Sequence, residues 1–402
     1  VKIAEVTVYP AKAQKHVKAS GVASYVKNLF GNVPRRSQDD VYVVCEKLNG
    51  TAEAYDEDGL HIIRSFDRNV TFAGSVYKQL RRIQPDVVHF QQEMALYGAV
   101  YTMYMLQLLL LVLRLKKVST VVTLHHVVDI KKVDKQFVRA NSSRAPAWAV
   151  KCAFITIYRP LATWAHALIV HEQCFKDLLV AQYGVPAAKI RVVPHGVENL
   201  QALPVAVARK QLRLQQKQHV VLAMGYLAGY KDYGLLIEGF ALYAATDPNA
   251  YLVIGAGKHP KLENDPAYLK IYTNTQAKAH TLIPEDQYRW VGFIPEVDIA
   301  TYYSASDVSM YPYKMSMSSS GPMAIAMGYE RPFLGSDVYA EVLPASVLFE
   351  RTPAALAAKL HDFFANQRNY QQLSHTMKRE RLWSTVGKQT MSVYKEVRHV
   401  TS

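Results

Sequence analysis

Short runs of aliphatic and β-branched residues recur along the chain, each separated from the next by a segment long enough for a helix. In the first half Lys2–Tyr9, Val41–Cys45, His61–Ser65, Asp86–Phe90, Ser119–Leu124, Ala167–His171 and Ile190–Pro194 read as strands. Between them, Val22, Tyr25, Val26 and Leu29 repeat with helical spacing, as do stretches within Val76–Ile83 and Gln173–Tyr183, the last stopped by Gly184. Near-continuous apolar strands that alternate with helices demand a parallel sheet covered on both faces. A second series starts at His219, with strands at Val220–Met224, Tyr251–Ile254, Tyr288–Phe293, Ser306–Met310, Phe333–Gly335 and Val347–Phe349. Its helices are expected at Tyr233–Ala245, 265–281, Asp298–Ala305, Pro353–Phe364 and about Asn369–Val400. Two such series in 402 residues fit two domains with separate cores. The expected organisation is α/β: two doubly wound Rossmann-like domains, 1–197 and 198–380, with Glu198–Val207 as linker and a terminal helix, 381–402, returning to the first domain.

Leu96–Leu115 is almost unbroken Leu, Met, Val and Tyr, long enough on its face to cross a bilayer. It lies between two strands of parallel type, however, and a span there would put them on opposite sides of a membrane. It is expected to be a buried crossover helix. Ile3–Tyr9 reads as a first strand, so no signal peptide is expected.

Half the residues are hydrophobic, which excludes a disordered chain. Cys45, Cys152 and Cys174 have no metal or redox spacing and are expected to be buried thiols of a reducing, cytoplasmic compartment. The net charge is +14 and uneven. Residues 1–200 hold 26 Lys/Arg against 16 Asp/Glu, or +10, leaving 21 against 17, or +4, for the rest. A basic first half suits an anionic membrane surface or a phosphorylated acceptor. No nucleic-acid module with interleaved aromatics is present, so nucleic acid is not an expected partner. The densest basic stretch is 131–144, where Lys131, Lys132, Lys135, Arg139 and Arg144 face only Asp134. Pro146–Trp164 follows with two tryptophans. Together these read as a peripheral contact with anionic headgroups at the inner face of the cell membrane, or as a solvated loop and a core helix.

Two loops carry candidate chemistry. Gly225-Tyr-Leu-Ala-Gly-Tyr-Lys231-Asp232 is a glycine loop after a strand. Ser318-Ser319-Ser320-Gly321-Pro322 precedes a short helix of small and apolar residues. Pro322 suits the first helical position, where its missing N–H costs nothing, and a serine before it is a good N-cap. Hydroxyls, free N–H groups and the positive end of a helix dipole converge there, which suits a diphosphate. An ordinary capped connection has the same residues.

These stretches together resemble the retaining glycosyltransferases of the GT-B fold, family 4, over nearly the whole chain. The resemblance is carried by Ala167–Glu172, by Gly184–Val197 (GVPAAKIRVVPHGV), by Gly225–Phe240, by Trp290–Pro295 with Ala305–Val308, and by Trp383–Val386 running on to Tyr394. It implies two domains facing across a cleft, a bacterial polysaccharide-type transferase, a UDP- or GDP-sugar donor and no metal cofactor. Gly21 falls where the first-domain loop meets donor phosphates and acceptor. His125 matches a histidine near the transferred sugar. Lys231 matches the lysine that neutralises the departing diphosphate, a cation the chemistry needs because cleavage of the sugar–phosphate bond builds negative charge. Gly225 and Tyr226 fall on the donor loop, but Tyr226 stands where the family has an arginine. Met317 and Ile325 stand where it has two glutamates eight positions apart. Ser318, Ser319 and Ser320, with the backbone of Ser320 and Gly321, are expected to hold the diphosphate in their place.

The expected activity is transfer of a sugar, with retention, to a hydroxyl of a lipid-linked or polysaccharide acceptor. Two rivals share the fold. The missing glutamates favour an inactive protein that binds a glycan or a partner. A sugar-nucleotide epimerase would need paired carboxylates, and no convincing pair is found.

Overall fold

The computed structural model describes residues 1–12, 21–34, 39–140, 145–260, 262–315 and 320–401. The chain divides into two compact units, Val1–Gly196 with Trp383–Ser402, and Val197–Leu382.

The first unit runs β1 (Lys2–Thr7), α1 (Gly21–Asn32), β2 (Asp40–Glu46), β3 (Glu53–Glu57), β4 (Leu60–Phe66), α2 (Phe72–Ile83), β5 (Val87–Gln92), α3 (Tyr101–Leu115), β6 (Ser119–Leu124), α4 (Lys135–Ala140), α5 (Ala147–Trp164), β7 (Ala167–Val170), α6 (Gln173–Tyr183) and β8 (Ile190–Val192). Its strands form one sheet in the order β3-β4-β2-β1-β5-β6-β7-β8. Ile3 pairs with Val41 on one side and Val87 on the other, and every neighbour is parallel except β3 with β4. Strand order therefore reverses at β1 and β5, the topological switch point where doubly wound sheets leave a crevice.

Three features of this unit go beyond the expectation. β3 has no counterpart in the sequence reading. It joins β4 through Asp58-Gly59, whose φ angles of 52° and 72° are the left-handed pair of a two-residue hairpin. The apolar run condenses into the 15-residue α3, about 22 Å long, against about 30 Å of bilayer hydrocarbon. Among the described residues no helix is long and apolar enough to cross a membrane. The long C-terminal helix is broken at Leu382, and the part beyond it packs on α1 and β6 with Trp383, Val386, Tyr394 and Val397 buried.

The second unit runs α7 (Val205–Gln211), β9 (His219–Met224), α8 (Tyr233–Ala244), β10 (Ala250–Gly255), α9 (Pro266–Leu282), β11 (Tyr288–Trp290), α10 (Ile299–Ala305), β12 (Val308–Tyr311), α11 (Gly321–Gly328), β13 (Phe333–Ser336), β14 (Leu348–Phe349), α12 (Pro353–Ala365) and α13 (Gln367–Arg381); α14 (Trp383–Thr401) belongs to the first unit. Part of the expected linker is thus helical, with Pro204 just before α7. The sheet order β11-β10-β9-β12-β13-β14 is wholly parallel. Its reversal lies between β9 and β12, so the loops leaving those two strands frame the crevice.

Candidate active site

The two loops picked out by composition are the two that leave β9 and β12. Gly225 follows β9 with φ 127°, a conformation that side chains rarely adopt. Its bare α-carbon is covered by the Lys231 ammonium, with Pro322 Cγ 3.5 Å from where a Cβ would stand. Lys231 closes a short 3-10 turn, and the next residue, Asp232, is left-handed at φ 48° and caps α8 by accepting from Leu235 N–H. The Asp232 carboxylate is engaged by other cations: it holds Arg351 at 3.1 Å and Lys314 at 3.6 Å.

Lys231 is only 7% exposed. Among the described residues its ammonium has no hydrogen bond or ion pair, and burial alone pushes its pKa down to about 8. Its surroundings are the rings of Tyr230 and Tyr313, at 5.9 and 6.0 Å. A buried cation without an anion costs several kcal/mol, and proteins retain one where a ligand supplies the counter-charge.

The start of α11 stands beside it. Ser320 is the N-cap, accepting from Met323 N–H, and its hydroxyl lies 3.4 Å from Tyr313 OH. Gly321 takes the first helical position and Pro322 the second, one residue later than the sequence placed it. Among the described residues nothing lies within 4 Å of where a Cβ at Gly321 would stand. Pro322's carbonyl accepts from Tyr303 OH at 2.7 Å and Tyr311 OH at 2.8 Å, which pins the helix start to β12. Ser318 and Ser319 lie outside the described residues. Tyr226 turns its ring onto Phe293, 5.8 Å away and within 12° of parallel, with His259 at 5.7 Å. The structure thus brings Gly225 and Lys231 together with the start of α11 at Ser320–Pro322, while the Tyr226 ring packs on Phe293 and His259.

Gly21 and His125 belong to the first unit. Gly21 opens α1 and is exposed. His125, just past β6, has both ring nitrogens engaged: Nε2 at 2.8 Å from Gln91 Oε1 and Nδ1 at 3.2 Å from His171 Nε2. Tyr25, one turn into α1, sits among His125, His171, His195 and Trp383 at ring distances of 4.9 to 5.2 Å. Burial holds His125 well below the usual histidine range, with His171 adding to the effect. Sequence reasoning missed Glu5, His89, Gln91 and His171. The available signal was polar residues within, or just past the end of, strands otherwise buried on both faces.

The chain contains an Asp-x-Asp triplet, Asp56-Glu57-Asp58. It lies at the hairpin tip of β3 and β4, where Asp56 meets His61 at 2.6 Å and Glu57 and Asp58 face Lys27 at 3.4 and 3.9 Å. Among the described residues no group of three or more His, Cys, Asp or Glu side chains could hold a metal ion.

Two parallel Rossmann-like sheets, each with its crevice at the strand reversal, define a GT-B fold. A family model described as Glycosyltransferase Family 4 matches residues 19–199, and one described as Glycosyl transferases group 1 matches residues 205–380. The chain belongs to the family-4, group-1 glycosyltransferases and is a glycosyltransferase enzyme. Mannosylfructose-phosphate synthase of Agrobacterium fabrum is 29% identical over 155 residues, a match spanning 36% of this chain and 34% of that protein. Among solved structures, the sucrose-phosphate synthase of Thermosynechococcus elongatus has a TM-score of 0.66 at 19% identity, covering 99% of both chains. HepE of Anabaena, solved with UDP, has a TM-score of 0.66 at 12% identity, covering 98% of this chain and 100% of its own. WaaG, a glycosyltransferase of lipopolysaccharide biosynthesis, has a TM-score of 0.57 at 14% identity over 100% of both chains.

Proposed function

We propose that the protein moves a sugar from a UDP- or GDP-sugar to a hydroxyl of a lipid-linked or polysaccharide acceptor, with retention at the anomeric carbon and without a divalent metal. The observation that carries this is Lys231, a buried ammonium with no anionic partner among the described residues, set beside the start of α11. The diphosphate is the missing anion. The Ser320 and Gly321 backbone and the Ser320 hydroxyl take one side of it and Lys231 the other, while Tyr226 and Phe293 offer a flat face to the base. HepE has been solved with UDP and with UDP-glucose, on the same fold.

In the reaction the bond from the anomeric carbon to the phosphate oxygen breaks and its electron pair stays on the diphosphate. The acceptor oxygen then bonds the same carbon from the same face, and its proton passes to the departing phosphate oxygen. Lys231 and the helix start stabilise the charge that develops on that oxygen. His125 is the residue we propose to contact the transferred sugar. The test is calorimetric titration with UDP-glucose, GDP-mannose and UDP, on the wild type and Lys231→Ala. Binding in the micromolar range, lost by at least tenfold in the variant, supports the reading. Equal affinity in both overturns it. A product glycoside of inverted configuration would overturn retention.

An inactive, glycan-binding GT-B protein is the second reading, favoured by Ile325, which packs against the core of the second unit where the family carries a carboxylate. Donor hydrolysis or transfer that disappears in Lys231→Ala rules it out.

The proposed acceptor side includes a peripheral membrane contact on α3, α4 and α5. Lys131, Lys132, Lys135 and Arg139 are exposed, and residues 141–144 lie outside the described residues. Trp148 is 69% exposed, and α3 carries exposed Leu108, Val112 and Leu115 before Lys116 and Lys117. Apolar and basic residues sharing one helical layer suit an anionic lipid surface.

A further inference from the structure

A chain of polar side chains crosses the interior of the first unit. Glu5, at the centre of β1, is fully buried. Its Oε1 lies 2.7 Å from the Gln91 amide, whose other end lies 2.8 Å from His125 Nε2. His125 Nδ1 lies 3.2 Å from His171 Nε2, and His171 Nδ1 lies 3.0 Å from the carbonyl of Val193. On the far side of Glu5, Oε2 stands 2.9 Å from His89 Nδ1, which is 2.7 Å from Tyr394 OH, while His89 Nε2 is 2.7 Å from Thr123 Oγ1.

The protons of this chain can be counted from the Val193 end. A carbonyl only accepts, so His171 carries its proton on Nδ1. A neutral His171 then has a bare Nε2, and His125 must donate to it from Nδ1. That leaves His125 Nε2 bare, to be met by an N–H of the Gln91 amide. The amide's carbonyl must then face Glu5, the two ends of an amide being interchangeable in shape. Two acceptors cannot share a contact of 2.7 Å, so Glu5 must bear a proton. The opposite polarity needs a Glu5 carboxylate and a doubly protonated His171, two charges separated by Gln91 and His125 in a dry interior. Such a separation is expensive. Burial raises the Glu5 carboxyl and lowers the His125 imidazolium, both in the direction of the neutral chain.

We propose that Glu5 is a positioning residue, buried as the neutral acid, which through Gln91 fixes His125 as the Nδ1–H tautomer with a lone pair at Nε2. A sugar hydroxyl bonding to that nitrogen would have to take the place of the Gln91 amide, and would have to donate its proton to the ring. The groups that face the chain are Glu5 on β1, Tyr25 on α1, His89 and Gln91 on β5, Thr123 on β6, His171 after β7, His195 after β8, and Trp383 and Tyr394 on α14. The functional part of the proposal rests on His125 meeting the donor sugar.

The test is proton–nitrogen correlation spectroscopy of the full chain labelled with 15N-histidine, the His125 and His171 signals assigned from His125→Gln and His171→Gln. Both rings are expected as the neutral Nδ1–H tautomer from pH 6 to 8. Glu5→Gln, which can donate as the acid does, should keep that pattern and keep kcat within about twofold. Glu5→Ala should lose the pattern and lower kcat at least tenfold, leaving donor KM within about threefold. The substrate for kcat is whichever of UDP-glucose, GDP-mannose and ADP-glucose gives the largest thermal shift. An imidazolium signal for His171 at pH 7, or a Glu5→Gln as impaired as Glu5→Ala, overturns the chain. The wild-type spectrum decides this even if Glu5→Ala fails to fold. Full kcat in His125→Ala overturns the functional part while the spectrum tests the chain separately.

Discussion

The Lys231 ammonium occupies the space in which a side chain at Gly225 would begin. Lysine and glycine are therefore one device: the glycine's bare α-carbon lets the lysine fold under the loop leaving β9. Gly225→Ala meets two obstacles. The backbone φ of 127° is hostile to alanine, and the methyl group displaces the ammonium, the movable end of a flexible chain. The strain costs about 1–3 kcal/mol of stability, and the displaced charge no longer points at the diphosphate. Donor affinity is expected to fall at least tenfold and the melting temperature to drop. Calorimetric titration and a thermal melt read the two effects separately, and unchanged donor affinity would sink the pairing.

Lys231→Met should raise stability while destroying donor binding. The folded pKa of Lys231, about 8, lies below the value of about 10.4 for a free lysine. Below both values the buried charge is present and its cost is paid in full. Between them the folded protein has released the proton and the unfolded chain still holds it, so stability rises with pH. The wild type is thus handicapped by up to about 3 kcal/mol below pH 8, and the handicap disappears as pH climbs towards 10.5. Denaturant midpoints of wild type and variant at pH 7 and pH 9.5 test this. The difference should shrink at the higher pH; a constant difference means the lysine is not buried as a cation. By the same titration, kcat/KM for the donor should fall above about pH 8, where the free enzyme loses the charge that receives the diphosphate.

The sequence made the two sheets legible because parallel strands buried on both faces leave long apolar runs, and nothing else in a chain of this composition does. Gly184 and Ser320 marked helix ends for simple steric and hydrogen-bonding reasons, and both act as expected. The β3 hairpin escaped because Glu53–Glu57 lies at the sheet edge with little burial, so its alternation is faint; Asp58-Gly59 was the stronger sign. Lys231 and Gly225 were named from their loop, but their mutual contact depends on the left-handed Asp232, which no local pattern announces. The Glu5–His171 chain was invisible for a different reason. Its members come from β1, β5, β6 and the end of β7, the bonded pair Glu5 and Gln91 lying 86 residues apart, and only the sheet order makes them neighbours.

Ser320 does two jobs that substitution can separate. As N-cap of α11 it satisfies Met323 N–H, and replacing it with alanine costs about 1 kcal/mol. As a hydroxyl beside Gly321 it also faces the proposed diphosphate. Ser320→Asp keeps a capping oxygen but adds a negative charge where the ligand's own charge would sit. Ser320→Ala is expected to weaken donor binding modestly, about three- to tenfold. Ser320→Asp should weaken it by more than a hundredfold with stability preserved. If Ser320→Asp binds UDP as well as the wild type does, the diphosphate does not sit at this helix start.

The last helix returns to the first unit through two glycines, and the second of them offers the sharper test. A Cβ at Gly196 would enter the ring of Trp383, and one at Gly387 would come within 2.9 Å of the Asn32 carbonyl and the Val33 α-carbon. The obstacle at Gly387 is backbone, which cannot swing aside as Lys231 can. Gly387→Ala must therefore push α14 away from the end of α1, loosening Val386, Val393 and Tyr394 from the core and Tyr394 OH from His89. The cost of such overpacking is about 1–3 kcal/mol. Hydrogen exchange is the right measurement, because the two units need not unfold together. Amides of α1, β5, β6 and α14 should exchange faster, while those of β9, β10 and β12 keep their protection. Uniform acceleration in both units, or none, would show that α14 does not brace the first sheet.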